Sequence, residues 1–219
     1  MVSSIDRALA YGSRVEVSIT LTALDLEGVP DAVAFALSRR LPFSLNFYRE
    51  CHTGQKTARA VLSLMQPDPD WLVRAVGQAL ALADHFRPIP ALSGILDRVR
   101  IDVPHHHPCS AGRDYLAIDP RGRVAACQML LEEPCTDLED ADPLATVRRH
   151  GEDTFKSVLE RPDCLYCRWQ AACSGGCPLL RQTPLHHSYC RVYRKVLPEL
   201  VRLEGKRLIA SVSRHPAGS

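Results

Sequence analysis

From Val15 to Leu21 the residues Val-Glu-Val-Ser-Ile-Thr-Leu alternate apolar and polar, the period of a strand with one buried face. An apolar run from Val33 to Leu37 follows Asp31, a residue type that caps helix N-termini, and predicts a short helix. Phe43–Tyr48 reads as a second strand after a proline. From Trp71 to Phe86 the period changes to that of a helix. Leu72, Val76, Ala79, Leu80, Ala83 and Phe86 fall on one stripe, with Asp70 as the expected cap. Strand, helix, strand, helix in this order predicts parallel βα units.

Beyond Pro104 the long periodic elements thin out, and we place a boundary in Val-Pro-His-His-His-Pro-Cys. This gives one domain over 1–104 and another over 105–219. Tyr115–Ile118 and Arg123–Ala126 flank Asp119-Pro-Arg-Gly122, a turn sequence that predicts a β-hairpin. Asp119 stands where a carboxylate accepts the turn's backbone hydrogen bonds, a structural role. Residues 164–190 read as loop, with Gly175 and Gly176 permitting close backbone approach. Tyr193–Ile209 predicts a closing helix, with Pro198 near its start or at a kink.

Composition narrows the classes. The 219 residues are 46% hydrophobic and 24% charged with a net charge of +2, ordinary for a globular chain. Positive charge forms no stripe, so nucleic acid is not an expected partner. There is no run of 18 apolar residues and no apolar signal core near Met1, so no membrane partner is expected and the cytoplasm is the expected location.

Nine cysteines then need explaining, eight of them between Cys109 and Cys190. In a reducing compartment dense cysteine points to metal rather than disulfides. The run C-x2-C-x5-C-x3-C-P-x11-C uses Cys164, Cys167, Cys173, Cys177 and Cys190. A Cys-x-x-Cys turn brings two thiolates and inward-facing amides to one centre, and a proline after the last cysteine of such a run suits iron–sulfur sites. Cys109 and Cys127 bracket the predicted hairpin, whose folding brings them toward one centre. A zinc-stabilised interaction domain is the alternative reading of the same thiols.

Taken together, Cys109-x12-Gly122-x4-Cys127, a gap, and Cys164-x2-Cys167-x5-Cys173-x3-Cys177-x12-Cys190 resemble the seven-cysteine signature of SPASM domains, the C-terminal extensions of radical S-adenosylmethionine (SAM) enzymes. The resemblance covers about half the chain. It implies an α/β partial barrel remnant of βα units, followed by a small, loop-rich α+β cysteine-rich SPASM domain with a β-hairpin and a C-terminal helix. It implies two auxiliary [4Fe–4S] clusters. Cys109, Cys127 and Cys177 belong to one, with Cys135 the nearest spare thiol for its fourth ligand or an iron left open. Cys164, Cys167, Cys173 and Cys190 belong to the other. It further implies a maturase acting on a ribosomally made peptide or protein, with SAM and a third [4Fe–4S] cluster in the intact enzyme. The family binds that third cluster through C-x3-C-x2-C, which occurs nowhere in these residues. The chain is therefore expected to be a fragment, a mis-started reading frame or one part of a split enzyme, and not to cleave SAM alone. A stand-alone electron-transfer or substrate-docking module, serving a separate SAM-binding chain, is the second function it allows. A partial barrel also leaves an open sheet edge, from which poor solubility of the isolated chain is expected.

Other residues are weaker candidates. Asn46 and Arg49 lie toward the C-terminal end of a predicted strand, where barrel chemistry collects, and are candidates for SAM or substrate. Cys51 reads as a small buried side chain. His105, His106 and His107 point to alternate sides of an extended segment, so one site cannot easily use all three, and a solvated interdomain loop is expected. His186 and His187 are read as surface residues in the same way. Tyr166 and Trp169 are expected to shield a cluster from water.

Overall fold

The computed structural model describes residues 2–49, 67–182 and 185–213, with the side chains of residue 2, residue 182 and residues 185–188 left undescribed. Cys51 lies outside the described residues. Two compact units result, and a single cut does not separate them. Met1–Tyr48, Pro67–Asp97 and Arg191–Ser219 form the first; the second is built around Arg98–Cys190. The boundary near Pro104 thus moves to Asp97, and the last stretch of chain joins the first unit rather than the second.

In the first unit β1 (Val17–Leu21) and β2 (Phe43–Phe47) pair in parallel, from Val17 opposite Phe43 to Leu21 opposite Phe47. The connection between them is α2 (Val29–Ser38), completing the expected βαβ unit. This helix begins four residues before Val33. Gly28, not Asp31, is its N-cap, and Pro30 in the first turn presets the helical φ. A Cβ on Gly28 would lie 2.6 Å from Asp25 Oδ1, so the cap position is kept small. The second helix of the pattern, α3 (Pro69–His85), is capped by Asp68 instead of Asp70. Asp68 Oδ1 accepts from the Asp70 and Trp71 amides at 2.8 and 3.2 Å, and Pro69 fixes the first turn. Asp70 instead pairs with Lys195 at 3.0 Å and Arg191 at 3.1 Å.

After α3 the chain returns beside β2. The Leu45 amide donates to the Ile95 carbonyl at 2.7 Å and the Asp97 amide to the Leu45 carbonyl at 2.9 Å, a parallel bridge between Leu45 and Leu96. Parallel pairing ends there, and among the described residues no barrel closes. The first helix, α1 (Val2–Ala10), had no counterpart in the sequence reading; its Asp6 pairs with Arg39 at 3.5 Å.

The core of this unit is aliphatic. Leu21, Leu45, Phe47, Leu72, Leu80, Leu96, Leu197, Leu200 and Leu203 are all below 2% exposed. Each such side chain contributes roughly 1.5–3 kcal/mol by leaving water. The last helix, α6 (Leu185–Val212), starts eight residues before the expected Tyr193, which places Pro198 in its interior on an exposed position. Proline costs the helix a hydrogen bond there, but burial of Val192, Val196, Leu197, Leu200 and Leu203 at helical spacing holds both halves.

In the second unit the predicted hairpin is present as β3 (Ala117–Ile118) and β4 (Arg123–Ala125). Gly122, at φ +79°, makes the turn. Asp119 caps it as expected, accepting from the Arg121 and Arg123 amides at 2.8 and 2.9 Å and from Arg123 Nε at 2.7 Å. A third strand, β5 (Thr136–Asp137), and a helix, α4 (Pro143–Gly151), were not expected. The Asp142-Pro143 pair is a cap followed by an N1 proline, a legible helix start.

Among the described residues an apolar cluster of this unit joins Ala111, Val124, Ala126, Val147 and Phe155, with Cys109, Cys127, Cys135, Leu116, Leu130 and Leu179 packed against it. Gly112, at φ +71°, sits so close to the Phe155 ring that a Cβ would fall 2.4 Å from it. Among the described residues no helix is long and apolar enough to cross a membrane.

Candidate metal centres

The loop from Cys164 to Cys177 is folded by its own backbone. The Cys167 amide donates to the Cys164 carbonyl at 2.9 Å, closing the Cys-x-x-Cys turn. The four-residue helix α5 (Gln170–Cys173) follows. Ser174, Gly175 and Gly176 then take φ values of +46°, +76° and +70°, three left-handed residues in a row that reverse the chain. Ser174 is 1% exposed, and its Oγ donates to the His105 carbonyl at 2.7 Å. The Arg100 and His105 amides donate to the Ala172 and Ala171 carbonyls at 2.9 and 3.0 Å, so the segment entering this unit is laced to α5.

Among the described residues the eight cysteines are thiols, and two of them, Cys173 and Cys127, feel the charges of others. Burial pushes the Cys173 thiol up to about 12. The Gly175 amide opposes this, while Cys190, Cys167 and Cys164 add to it as like charges. Burial also raises Cys127, and there the like charges are Cys177 and Cys109. The charges of Cys190, Cys167 and Cys164 thus bear on Cys173, and those of Cys177 and Cys109 on Cys127. Cys135 stands apart. Its Sγ donates to the Val124 carbonyl at 3.6 Å, and burial, not a cysteine, raises its thiol.

Among the described residues no three His, Cys, Asp or Glu side chains converge closely enough to hold a single metal ion. Tetrahedral zinc with bonds of about 2.3 Å needs its thiolates about 3.8 Å apart, whereas a four-iron cluster is a larger body and holds its thiolates farther apart. All-thiol sets lined by backbone N–H groups are the donor chemistry that such clusters take.

The histidine run alternates in burial and is not the fully solvated loop expected, because His105 and His107 turn toward protein. His106 is exposed, while the Nδ1 atoms of His105 and His107 are buried without a hydrogen-bond partner. Burial holds both rings below the usual histidine range, and neighbouring arginines, Arg100 at His105 and Arg113 at His107, act in the same direction. Tyr166 is 98% exposed and covers nothing, a correction to its expected shielding role; the Cys-x-x-Cys turn points that position outward. Trp169 is partly buried at the start of α5. His186 and His187 lie on α6, with side chains outside the described atoms.

In the first unit Asn46 is on the polar face of β2, opposite Phe43, Leu45 and Phe47. Its Nδ2 donates to Ser18 Oγ at 2.9 Å and Ser44 Oγ at 3.3 Å. Arg49 follows β2, is partly buried and groups with the second unit, so the two candidates belong to different units. Two residues escaped the sequence reading. Asp97 is 5% exposed at the end of the third parallel segment, where its carboxylate accepts from the Phe47 amide at 3.4 Å and its carbonyl from Tyr193 Oη at 3.0 Å. An acid directly after Ile95-Leu96 was the available signal. Arg181 contacts Cys164 Sγ and carried no signal in sequence spacing. A cavity of about 810 Å³, lined by Glu16, Arg40, Phe43, Phe86, Pro88 and Gly94 among others, opens at the N-terminal ends of the strands, away from Asn46 and Asp97.

No family model matches the chain, and no curated protein matches it. Solved structures do. A tagged form of anSMEcpe with bound AdoMet superposes with a TM-score of 0.63 at 11% identity, covering 98% of this chain and 61% of that one. Native anSMEcpe with bound AdoMet and Kp18Cys peptide gives 0.61 at 13% identity over 93% of this chain, and with Cp18Cys peptide 0.59 at 12% over 94%. The chain thus spans about three-fifths of the length of these proteins. The likeness is one of fold alone, over that part of anSMEcpe.

Proposed function

We propose that this chain is the auxiliary-cluster part of a radical SAM/SPASM maturase that modifies a ribosomally made peptide or protein. What supports this is the spacing of the seven cysteines, with Cys109 and Cys177 bearing electrostatically on Cys127, and Cys164, Cys167 and Cys190 on Cys173, in a chain with the fold of anSMEcpe. Cys109, Cys127 and Cys177 would hold one [4Fe–4S] cluster; Cys164, Cys167, Cys173 and Cys190 would hold the other. When bound, such clusters accept and pass on single electrons.

The chain's own residues do the positioning. The left-handed run Ser174–Gly176 directs the Gly175 amide at Cys173, and the hairpin β3–β4 with its Gly122 turn presents Cys127. The first set counts three thiols, and Cys135 bonds to Val124 instead of joining it, which favours an iron left open toward substrate. The peptides bound to anSMEcpe support a peptide as that substrate. No C-x3-C-x2-C run occurs in the 219 residues, so no SAM-cleaving cluster is assigned to them. The same fact favours a second reading, an electron-transfer or docking module for a separate SAM-binding chain. A barrel portion in the first unit, with Asn46 or Arg49 toward SAM or substrate, is part of the proposal.

Single substitutions test the two sets. Cys173→Ser and Cys177→Ser should each remove about half of the iron after anaerobic reconstitution, the double variant nearly all, and Cys135→Ser none. Equal and complete loss in every single variant would mean one shared centre. Loss in Cys135→Ser would restore Cys135 as a ligand.

A further inference from the structure

The second cysteine set has a cation built against it. Arg181 is 8% exposed in its side chain, although arginine is among the residues least often buried. Its Nη1 and Nη2 lie 3.5 and 3.4 Å from Cys164 Sγ. Nη1 also donates to the Gly175 carbonyl at 2.8 Å, and Nη2 to Asp163 Oδ2 at 2.5 Å. The fork is therefore fixed at four contacts to three residues. Gly175 leaves it room, because a Cβ there would lie 2.4 Å from Nη1 and 3.4 Å from Cys164 Sγ. Nearby, Arg161 donates to the Thr154 and Lys156 carbonyls at 2.7 and 3.3 Å and senses both Arg181 and Cys164.

We propose that Arg181 is a positioning residue that raises the reduction potential of the cluster assigned to Cys164, Cys167, Cys173 and Cys190, by donating N–H···S hydrogen bonds to the Cys164 sulfur. The inference rests on the cluster reading above. One-electron reduction adds one negative charge to the cluster and its thiolates, with no bond made or broken and no proton required. A buried guanidinium, charged at every accessible pH, stabilises that extra charge, and its two N–H groups are aimed where sulfur charge grows. Asp163, next to Cys164 in the chain, acts on the same sulfur and offsets part of the charge, but its side chain is 47% exposed, so water screens it more than the buried guanidinium. Arg181 thus makes this cluster easier to reduce than it would be without the cation.

The test is a dithionite titration followed by electron paramagnetic resonance, with iron counted in each sample. In Arg181→Met the reduced-to-oxidised ratio of this cluster at a fixed potential should fall about tenfold, 59 mV for one electron. In Arg181→Lys, which keeps the charge but loses the fork, it should fall less. The other cluster's signal should not move in either variant, and Arg168→Met, at an exposed position, should move neither. An unchanged midpoint in Arg181→Met at full iron content overturns the proposal, as does an equal shift in Arg168→Met. If Arg181→Met fails to hold iron, Arg181→Lys decides, and a wild-type midpoint there overturns it. A wild-type chain without iron would instead sink the cluster reading itself.

Discussion

The two units are stabilised by different means. The first buries leucines from strands and helices until many are inaccessible, and Leu21, Leu45, Leu72 and Leu203 are 0% exposed. Among the described residues, the second has a cluster of four small or medium apolar residues and Phe155, with cysteines and leucines packed against it, and scattered buried positions such as Val158 beside it. Its remaining order comes from loops tied by backbone hydrogen bonds, left-handed residues and carboxylate caps. A unit with so little apolar core commonly relies on metal for its folding energy. The contrast teaches that the same chain can hold one part by the hydrophobic effect and another mainly by turns, caps and loop hydrogen bonds, each with its own point of failure.

The largest effect follows from that. Iron removal by chelator under oxidising conditions should lower amide-exchange protection in β3 and β4 by several thousandfold or more, on the order of 5 kcal/mol. Protection of β2 and α3 should stay within a few-fold. Equal loss in both units would erase the distinction. Next comes Phe47→Ala, which should cost the first unit about 3–5 kcal/mol in urea unfolding while iron content stays the same. Gly112→Ala comes third: with φ +71° and Phe155 in the way, it should destabilise the second unit by about 1–3 kcal/mol and leave the β1–β2 pairing intact by circular dichroism.

These expectations were not equally readable in the chain. The parallel βα pattern was legible because each strand and helix buries a face, and Leu72, Val76 and Leu80 announce theirs by spacing. The ends of the helices were not, since caps compete locally: Asp68 and Asp70 both qualify, and only Pro69 between them decides. The extended start of α6 escaped because Pro198 reads as a boundary, whereas tertiary burial on both sides of it overrides the local penalty. Of the candidate site, the cysteines were legible from spacing and glycine. Arg181 was not, because its approach to Cys164 depends on three left-handed residues whose path no one-dimensional pattern records.

The smallest effect concerns the second unit's polar fastening. Hydrogen bonds from the Thr146 and Thr136 hydroxyls, and then from the Asp142 amide, hold the Asp140 carboxyl at about 2, below its ordinary 3.8. The folded state therefore favours the ionised form. The stabilisation is complete above 3.8 and drains as pH falls through about 2. Asp140→Asn should flatten the acid limb of this unit's thermal stability between those values and leave the first unit's profile unchanged.

The most direct measurement is the count of iron, acid-labile sulfide and zinc per chain after anaerobic purification and reconstitution. About eight irons and eight sulfides, the content of two [4Fe–4S] clusters, with broad visible absorption bleached by dithionite, is the result this account expects. One or two zinc ions with no sulfide and no visible absorption would contradict it and leave a zinc-stabilised interaction domain in its place.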